Sequence, residues 1–225
     1  MKKKIVILLL TLFALGAVAN AGLTGHYYNL PLRHPDMQRW ITGLDAGYVE
    51  NALTGATPTL TAYGNTRVSQ WDWWDASYYS MTRVDSDGDL ASSFQSSWFP
   101  LNEGVEGDPY YFAVHWEGQF YVAADMTYTY HMSSDDDSWL FIDNALTLDL
   151  GGVHGMTSTN YNVTLTAGWH DMDIFFAERH TTQSGFRLNF FSDLEPTPSI
   201  PEPATMILFG MGLLGGVVAR RFKKR

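Results

Sequence analysis

The chain has 225 residues, with 24 acidic and 14 basic side chains, and no cysteine, so no disulfide contributes to its stability. Residues 22–200, which exclude the two basic ends, keep six arginines and 23 acidic residues, a formal charge of −17. So acidic a surface repels nucleic-acid phosphates and is compatible with neutral polysaccharide and divalent cations. Thirty aromatic side chains in this part exclude a disordered chain and are enough for one packed domain.

The first 21 residues have the three parts of a secretory signal peptide. Lysines at positions 2–4 precede an apolar run at 5–18, which is shorter than the ~20 residues that a membrane-spanning helix needs. Residues 19–21 read Ala-Asn-Ala, the A-x-A pattern that signal peptidase accepts. We therefore predict a signal peptide at 1–21 with cleavage after Ala21; an uncleaved N-terminal anchor is the alternative.

In short segments between residues 110 and 190, apolar residues recur at every second position, which is the period of a half-buried β-strand. An opening strand is predicted at 22–28, and a short apolar run at 139–142 is read as another strand. Turn residues at 117–118, 143–144, 151–152 and 167–168 separate the later strands. The alternating sets are Tyr110/Phe112/Val114/Trp116, Tyr128/Tyr130/Met132, Leu146/Leu148/Leu150, Tyr161/Val163/Leu165, Met172/Ile174/Phe176 and Phe186/Leu188/Phe190. Many short strands at this spacing predict an all-β, antiparallel β-sandwich.

Residues 26–100 are less regular, but they contain two features with a candidate function. Asp85, Asp87 and Asp89 alternate like the front of a Ca²⁺ loop, although Leu90 and Ser96 stand where such a loop has Gly and Glu. An exposed turn is the alternative reading there. An aromatic cluster, with Trp71 and Trp73 on one strand face and Trp74 on the other, either stacks on sugar rings or fills the core. It consists of Trp71, Trp73, Trp74, Tyr78 and Tyr79.

The densest polar cluster is Ser-Ser-Asp-Asp-Asp-Ser at 133–138, between two predicted strands. Adjacent carboxylates repel one another unless a cation or hydrogen-bond donors compensate their charge. Ca²⁺ takes ~6–8 oxygen ligands, and a carboxylate-rich loop supplies them. Composition alone leaves two interpretations open, a calcium ion or a solvated acidic turn.

Catalytic residues are not predicted. His154, Glu178 and His180 offer metal or acid–base chemistry, but neither H-E-x-x-H nor G-x-S-x-G occurs. Arg179 follows Glu178 on a strand and points to the opposite face, so the two side chains need not pair. We expect these residues to be structural and to fix loops near the aspartates.

The C-terminal end has a tripartite layout. A proline-rich linker at 195–203 ends in Pro201, Glu202 and Pro203, and an apolar run at 204–219 precedes a basic tail at 220–225. Positive charge after an apolar span keeps that end in the cytoplasm. This layout resembles the PEP-CTERM sorting signal, which implies recognition by an exosortase in a Gram-negative bacterium and processing of the tail during export. A transmembrane helix at 204–219 would hold the precursor in the inner membrane; a simple tail anchor is the alternative.

A second resemblance covers the rest of the chain, densely from about residue 94 to 191. The segments that carry it are GLTGHYY (22–28), FAVHWEG (112–118), SDDDSWLFIDN (134–144), LDLGGVH (148–154), LTAG (165–168), FAERH (176–180) and SGF (184–186). Together they resemble the fibro-slime domain, a relative of the protective-antigen-type β-sandwich lectin domain. The resemblance implies a jelly-roll-like, lectin-type sandwich at 22–194 that often binds sugar through Ca²⁺.

In lectin members of the resembled family, an Asp-Asp pair joined by a cis peptide holds the ion. The matching positions are Asp135 and Asp136, which we therefore predict as Ca²⁺ ligands, with Asp137 as a weaker candidate because many relatives have a small residue there. We expect a non-catalytic, exported surface or matrix module that binds carbohydrate such as exopolysaccharide, in keeping with a biofilm matrix. The alternatives are a structural coat protein without a ligand, and an enzyme acting on polysaccharide through two carboxylates ~5–9.5 Å apart.

Overall fold

Short antiparallel strands dominate the protein. The computed structural model describes residues 23–37, 43–85, 98–101, 110–122, 124–181 and 183–189. These residues belong to the unit Asn20–Thr197. The predicted signal peptide, linker, sorting helix and tail lie outside the described residues. Within the described ranges, no helix has the length and apolar content needed to cross a membrane.

The described residues form nine strands and two short helices. The strands are β1 (Leu23–Asn29), β2 (Tyr79–Asp85), β3 (Phe112–Val122), β4 (Met126–Asp135), β5 (Asp137–Ile142), β6 (Ala145–Leu150), β7 (Thr157–Leu165), β8 (Gly168–Glu178) and β9 (Gly185–Asn189). The helices are α1 (Gly64–Arg67) and a 3₁₀ turn at Ala76–Tyr78.

The strands form two antiparallel sheets. The large sheet has the order β2-β1-β3-β8-β5-β6, and the small sheet has the order β7-β4-β9. Consecutive strands β4 and β5 belong to different sheets, so the chain passes from one sheet to the other between Asp135 and Asp137. The predicted all-β, antiparallel sandwich is confirmed.

Alternating side chains fill the space between the two sheets. The inner rows of the large sheet include Val114 and Trp116 of β3 and Ile174 of β8, all buried in one apolar cluster. Tyr130 and Met132 of β4 join the same cluster from the small sheet. The period-two pattern read from the sequence thus gives the inward face correctly on these three strands.

A second apolar cluster lies on the other face of the large sheet. Segments between residues 30 and 74 cover Trp139 and Phe175 there, and Trp73 and Trp74 are buried against them. The predicted strand at 71–74 is wrong, because these residues form a loop and turn. The three tryptophans of this loop therefore pack on one another and on Trp139 rather than on opposite faces.

Strand boundaries also depart from the sequence pattern. The turn predicted at 117–118 lies inside β3, which continues to Val122 and pairs with β8 over its whole length. The turn predicted at Asp143 and Asn144 is present, and both residues have positive φ, 49° and 64°, as a two-residue hairpin loop requires. Strand β2 was not predicted and pairs with β1 at the edge of the large sheet.

Candidate functional site

The three aspartates at 135–137, called the aspartate turn below, lie where the chain changes sheets. Asp135 ends β4 and Asp137 begins β5, and the peptide bond between Asp135 and Asp136 is cis. The three residues are only 5%, 1% and 0% exposed. The alternative of a solvated acidic turn is therefore wrong, and each buried carboxylate needs a partner or a proton.

Asp137 has its own cation. The Arg179 guanidinium donates to both carboxylate oxygens, from Nε to Oδ2 at 2.7 Å and from Nη2 to Oδ1 at 3.0 Å. The Gly152 amide donates to Oδ1 as well, at 2.6 Å. Gly152 has φ of +115°, and a Cβ there would lie 2.6 Å from the Gly43 carbonyl oxygen, so only glycine fits without strain. These contacts leave Asp137 compensated without a metal ion.

Asp136 is held by backbone amides instead of a cation. Its Oδ1 accepts from the His154 amide at 2.8 Å, and its Oδ2 accepts from the Arg179 amide at 3.0 Å. Each oxygen keeps a second lone pair for another partner. The two amides fix the direction in which the Asp136 carboxylate points.

Glu178 completes the site. It ends β8, is fully buried, and places one oxygen within 4.8 Å of oxygens of both Asp135 and Asp136. Its Oε1 accepts from the His180 amide at 2.8 Å, whereas Oε2 is buried and has no hydrogen-bond partner among the described residues. We call Asp135, Asp136 and Glu178 the carboxylate triad.

The Arg179 charge near Asp136 does not offset the burial of the triad carboxylates. Burial, and then the charge of Asp136, raise the pKa of Asp135 to about 7. Burial and the neighbouring Asp137 raise the pKa of Asp136, and burial and Asp136 raise the pKa of Glu178 well above its usual range. The triad consequently binds protons more tightly than exposed carboxylates do, and a cation would replace them.

The triad fits a calcium ion by the chemistry of its donors. Three carboxylates whose oxygens lie in one cluster provide the hard oxygen ligands that Ca²⁺ takes. The Oε2 atom of Glu178, which has no hydrogen-bond partner among the described residues, is available as one of these ligands. Of the three predicted ligands, Asp135 and Asp136 belong to this cluster, whereas Asp137 faces Arg179.

Glu178 was not predicted as a ligand, although the sequence contains a signal for it. It continues the inward row of Met172, Ile174 and Phe176 on β8 by one further step of two. A carboxylate at the end of a buried apolar row is a candidate site residue, because burying a carboxylate without a partner costs a large amount of free energy. Arg179 does face away from Glu178, as the alternation predicted.

The other candidates occupy structural positions. Both ring nitrogens of His154 contact backbone carbonyl oxygens, those of Gly155 and Leu150, each at 3.0 Å. Asp85 is buried and accepts from Tyr27 and Trp116, at 2.5 and 2.7 Å. The rest of the predicted loop at 86–89 lies outside the described residues.

The predicted aromatic cluster is mainly core. Trp73 and Trp74 are 0% and 7% exposed, and the partly buried Trp71 and Tyr78 pack against the same apolar cluster. Tyr79 is 49% exposed. Of the two readings for these aromatic residues, core filling is correct for the tryptophans.

The fold and the triad define the chain as a β-sandwich domain with a buried carboxylate site at the junction of its sheets. Residues 64–202 match the PA14 domain, and residues 199–224 match the PEP-CTERM protein-sorting motif. The chain belongs to the PA14 domain family and carries a PEP-CTERM sorting motif at its C-terminal end.

Similar proteins include Protein psiD of Dictyostelium discoideum, 34% identical over 138 residues that make up 53% of this chain and 26% of psiD. Protein psiR of the same organism is 28% identical over 209 residues, 72% of this chain and 20% of psiR. The chain thus spans about a quarter or less of these relatives. A solved PA14 sugar-binding domain from an RTX adhesin is 16% identical, with a TM-score of 0.37 over 76% of this chain and 88% of that one.

Proposed function

We propose that the protein is an exported, non-catalytic module that binds carbohydrate through a calcium ion held by the carboxylate triad. The observation that carries the proposal is the burial of Asp135, Asp136 and Glu178 with their oxygens clustered and one of them unpartnered. Membership of the PA14 domain family supports the same role.

The chain's own residues prepare the site for a cation. Backbone amides of His154 and Arg179 orient Asp136, and the His180 amide orients Glu178. Arg179 pairs with Asp137 and offsets the charge of that carboxylate. When bound, Ca²⁺ would offset most of the negative charge of the triad and offer coordination positions to sugar hydroxyl oxygens.

The ends of the chain support export. The signal peptide proposed at 1–21 would direct translocation and be removed by signal peptidase. The sorting motif around Pro201, Glu202 and Pro203 would be read by an exosortase while the helix at 204–219 holds the precursor in the inner membrane. The mature domain at 22–194 would then reach the cell surface or extracellular matrix of a Gram-negative bacterium, where its ligand is exopolysaccharide or another glycan.

The proposal is tested by calcium titration calorimetry and a glycan array on the full chain in detergent. We expect one calcium site in the parent protein, and array binding that EDTA abolishes. The double variant Asp135→Asn/Asp136→Asn should lose both, because the amides keep the shape but not the charge. Glu178→Gln should weaken calcium at least about tenfold. The matched control is Asp125→Asn, an exposed aspartate whose carboxylate accepts only the Ala167 amide among its described contacts.

Three outcomes of these binding experiments distinguish the proposed function from its alternatives. Calcium and glycan binding lost together in the double variant, and kept in the control, support the proposal. Glycan binding that persists in EDTA contradicts the calcium requirement but keeps a lectin. No glycan binding in any condition contradicts the lectin role and favours a structural matrix protein.

A further inference from the structure

A second cluster of metal-ligating side chains lies on the outer face of the large sheet, apart from the triad. His26 of β1 lies opposite His115 of β3, and Glu117 of β3 lies opposite Asp173 of β8. These four residues, called the outer-face cluster, occupy neighbouring positions on three adjacent strands. Asp173 and the triad's Glu178 are five positions apart on β8 and so project from opposite faces of the sheet.

The donor atoms of this cluster are already close together. His115 Nε2 lies 2.7 Å from Asp173 Oδ1, and His26 Nε2 lies 3.1 Å from Glu117 Oε1. One ligand atom from each of His115, Glu117 and Asp173 lies within 4.8 Å of the other two. A single ion can therefore contact all three side chains with small rotations.

The sheet and its neighbours hold the imidazoles in place. The His115 ring stacks on Phe175, with ring centroids 4.2 Å apart and planes 11° from parallel, and the residue is only 9% exposed. The second nitrogen of His26, Nδ1, contacts Thr82 Oγ1 at 3.0 Å. The stack holds the His115 ring in place, and the contact with Thr82 fixes the His26 ring, whose other nitrogen contacts Glu117.

An open cleft gives an ion access to the cluster. Its volume is about 340 Å³, and Glu117 and Asp173 line it together with Gln119 and Asp171. Glu117 is the most exposed of the ligands, with about half of its side chain accessible. Two of the three ligands, Glu117 and Asp173, are thus reached from the cleft.

We propose that His115, Glu117 and Asp173 form a binding site for a zinc-type divalent transition metal, with His26 orienting Glu117. An imidazole nitrogen with two carboxylates matches the N/O ligand sets of zinc, and three protein ligands leave a fourth position open toward the cleft. The histidine disfavours calcium, which selects oxygen ligands. This site is separate from the triad and stands or falls independently of the proposed lectin function.

The test is a calorimetric titration of ZnCl₂ into the full chain in detergent, with excess CaCl₂ present to occupy the triad. The parent is expected to bind one zinc ion. His115→Gln and Glu117→Gln should each weaken zinc binding at least about tenfold, the size of effect that even supporting residues show. The matched control is His131→Gln, because His131 lies on β4 in the small sheet and contacts Asn160.

The melting temperature in EDTA shows whether each variant folds, and Glu117→Gln keeps the test valid if His115→Gln does not. Zinc binding lost in the two cluster variants and retained in the control supports the site. The site is overturned by a parent that takes up no zinc, or by zinc binding of equal strength in the parent and both cluster variants. Zinc binding weakened only by Asp135→Asn/Asp136→Asn also overturns it, since the triad would then be the zinc ligand.

Discussion

The two halves of the aspartate turn differ in how far their buried charge is compensated. Asp137 has a guanidinium on both oxygens and a glycine amide besides, whereas Asp135 and Asp136 face a third carboxylate, Glu178. Arg179 contacts both halves differently, because its side chain donates to Asp137 and its backbone amide donates to Asp136. A run of three aspartates is therefore not one site: the first two can hold an ion, and the third belongs to the scaffold.

The largest effect is expected from removing the scaffold's cation. Arg179→Met should lower the free energy of unfolding by about 3–5 kcal/mol, because it leaves Asp137 buried and unpaired. Chemical denaturation of the full chain in detergent measures this loss. The matched control is Arg67→Met, whose partner Asp45 is partly exposed, and which should cost about 1 kcal/mol or less. Equal losses in the two variants would contradict the division of the turn.

A change of pH is expected to have an effect of intermediate size on stability, and this effect reports on Asp135 and Asp136, not on Asp137. In EDTA, the folded protein holds protons on Asp135 up to a pKa of about 7, whereas the unfolded chain releases them near 3.8. Between these values the native state binds more protons, so this contribution to stability is present below about pH 4 and is lost as pH rises to 7. Excess Ca²⁺ should reverse the trend, because it replaces the protons.

The measurement is a series of thermal melts from pH 4 to 7, with EDTA or with CaCl₂. Other carboxylates titrate in the same range, so the quantity to compare is the difference between the parent and Asp135→Asn/Asp136→Asn. In EDTA, the stability of the parent should fall relative to that of the double variant as pH rises. At pH 7, Ca²⁺ at 100 times its dissociation constant should raise the parent's melting temperature by about 5–10 °C and the variant's by nothing. A parent indifferent to calcium would leave the triad without its proposed ion.

The sequence predicted local features well and distant pairings poorly. Alternation identified the inner rows of β4 and β8, and two residues of the predicted acidic cluster, Asp135 and Asp136, belong to the carboxylate triad. The pairing of Asp137 with Arg179 spans 42 positions, so it depends on which strands become neighbours. Glu178 is just as distant from the aspartates in sequence, so a ligand set that combines these residues was not predicted. A period-two pattern gives the face of a strand and not its partner.

Long-range strand pairing and packing also explain why the remaining features were not predicted. The outer-face cluster has no sequence motif, because His115, Glu117 and Asp173 come together only when β3 and β8 pair in one particular alignment. The tryptophans at 71–74 looked like a strand because aromatic residues favour sheets, but the segment is a loop whose side chains cover Trp139 and Phe175. In that loop, the packing of large aromatic side chains onto the sheet outweighs local propensity.

The smallest effect is expected where the two metal sites are compared directly. Glu117→Gln keeps the size of the half-exposed side chain and removes its charge, whose contact with His26 lies at the surface. The free energy of unfolding in EDTA should therefore change by about 1 kcal/mol or less. The calcium-induced rise in melting temperature should remain, because Glu117 lies on the outer face and the triad faces inward. Thermal melts of parent, Glu117→Gln and Glu178→Gln, each with CaCl₂ and with EDTA, measure both quantities. Loss of the calcium shift in Glu117→Gln would mean that the outer face contributes to the calcium site, whereas its loss only in Glu178→Gln assigns the ion to the triad.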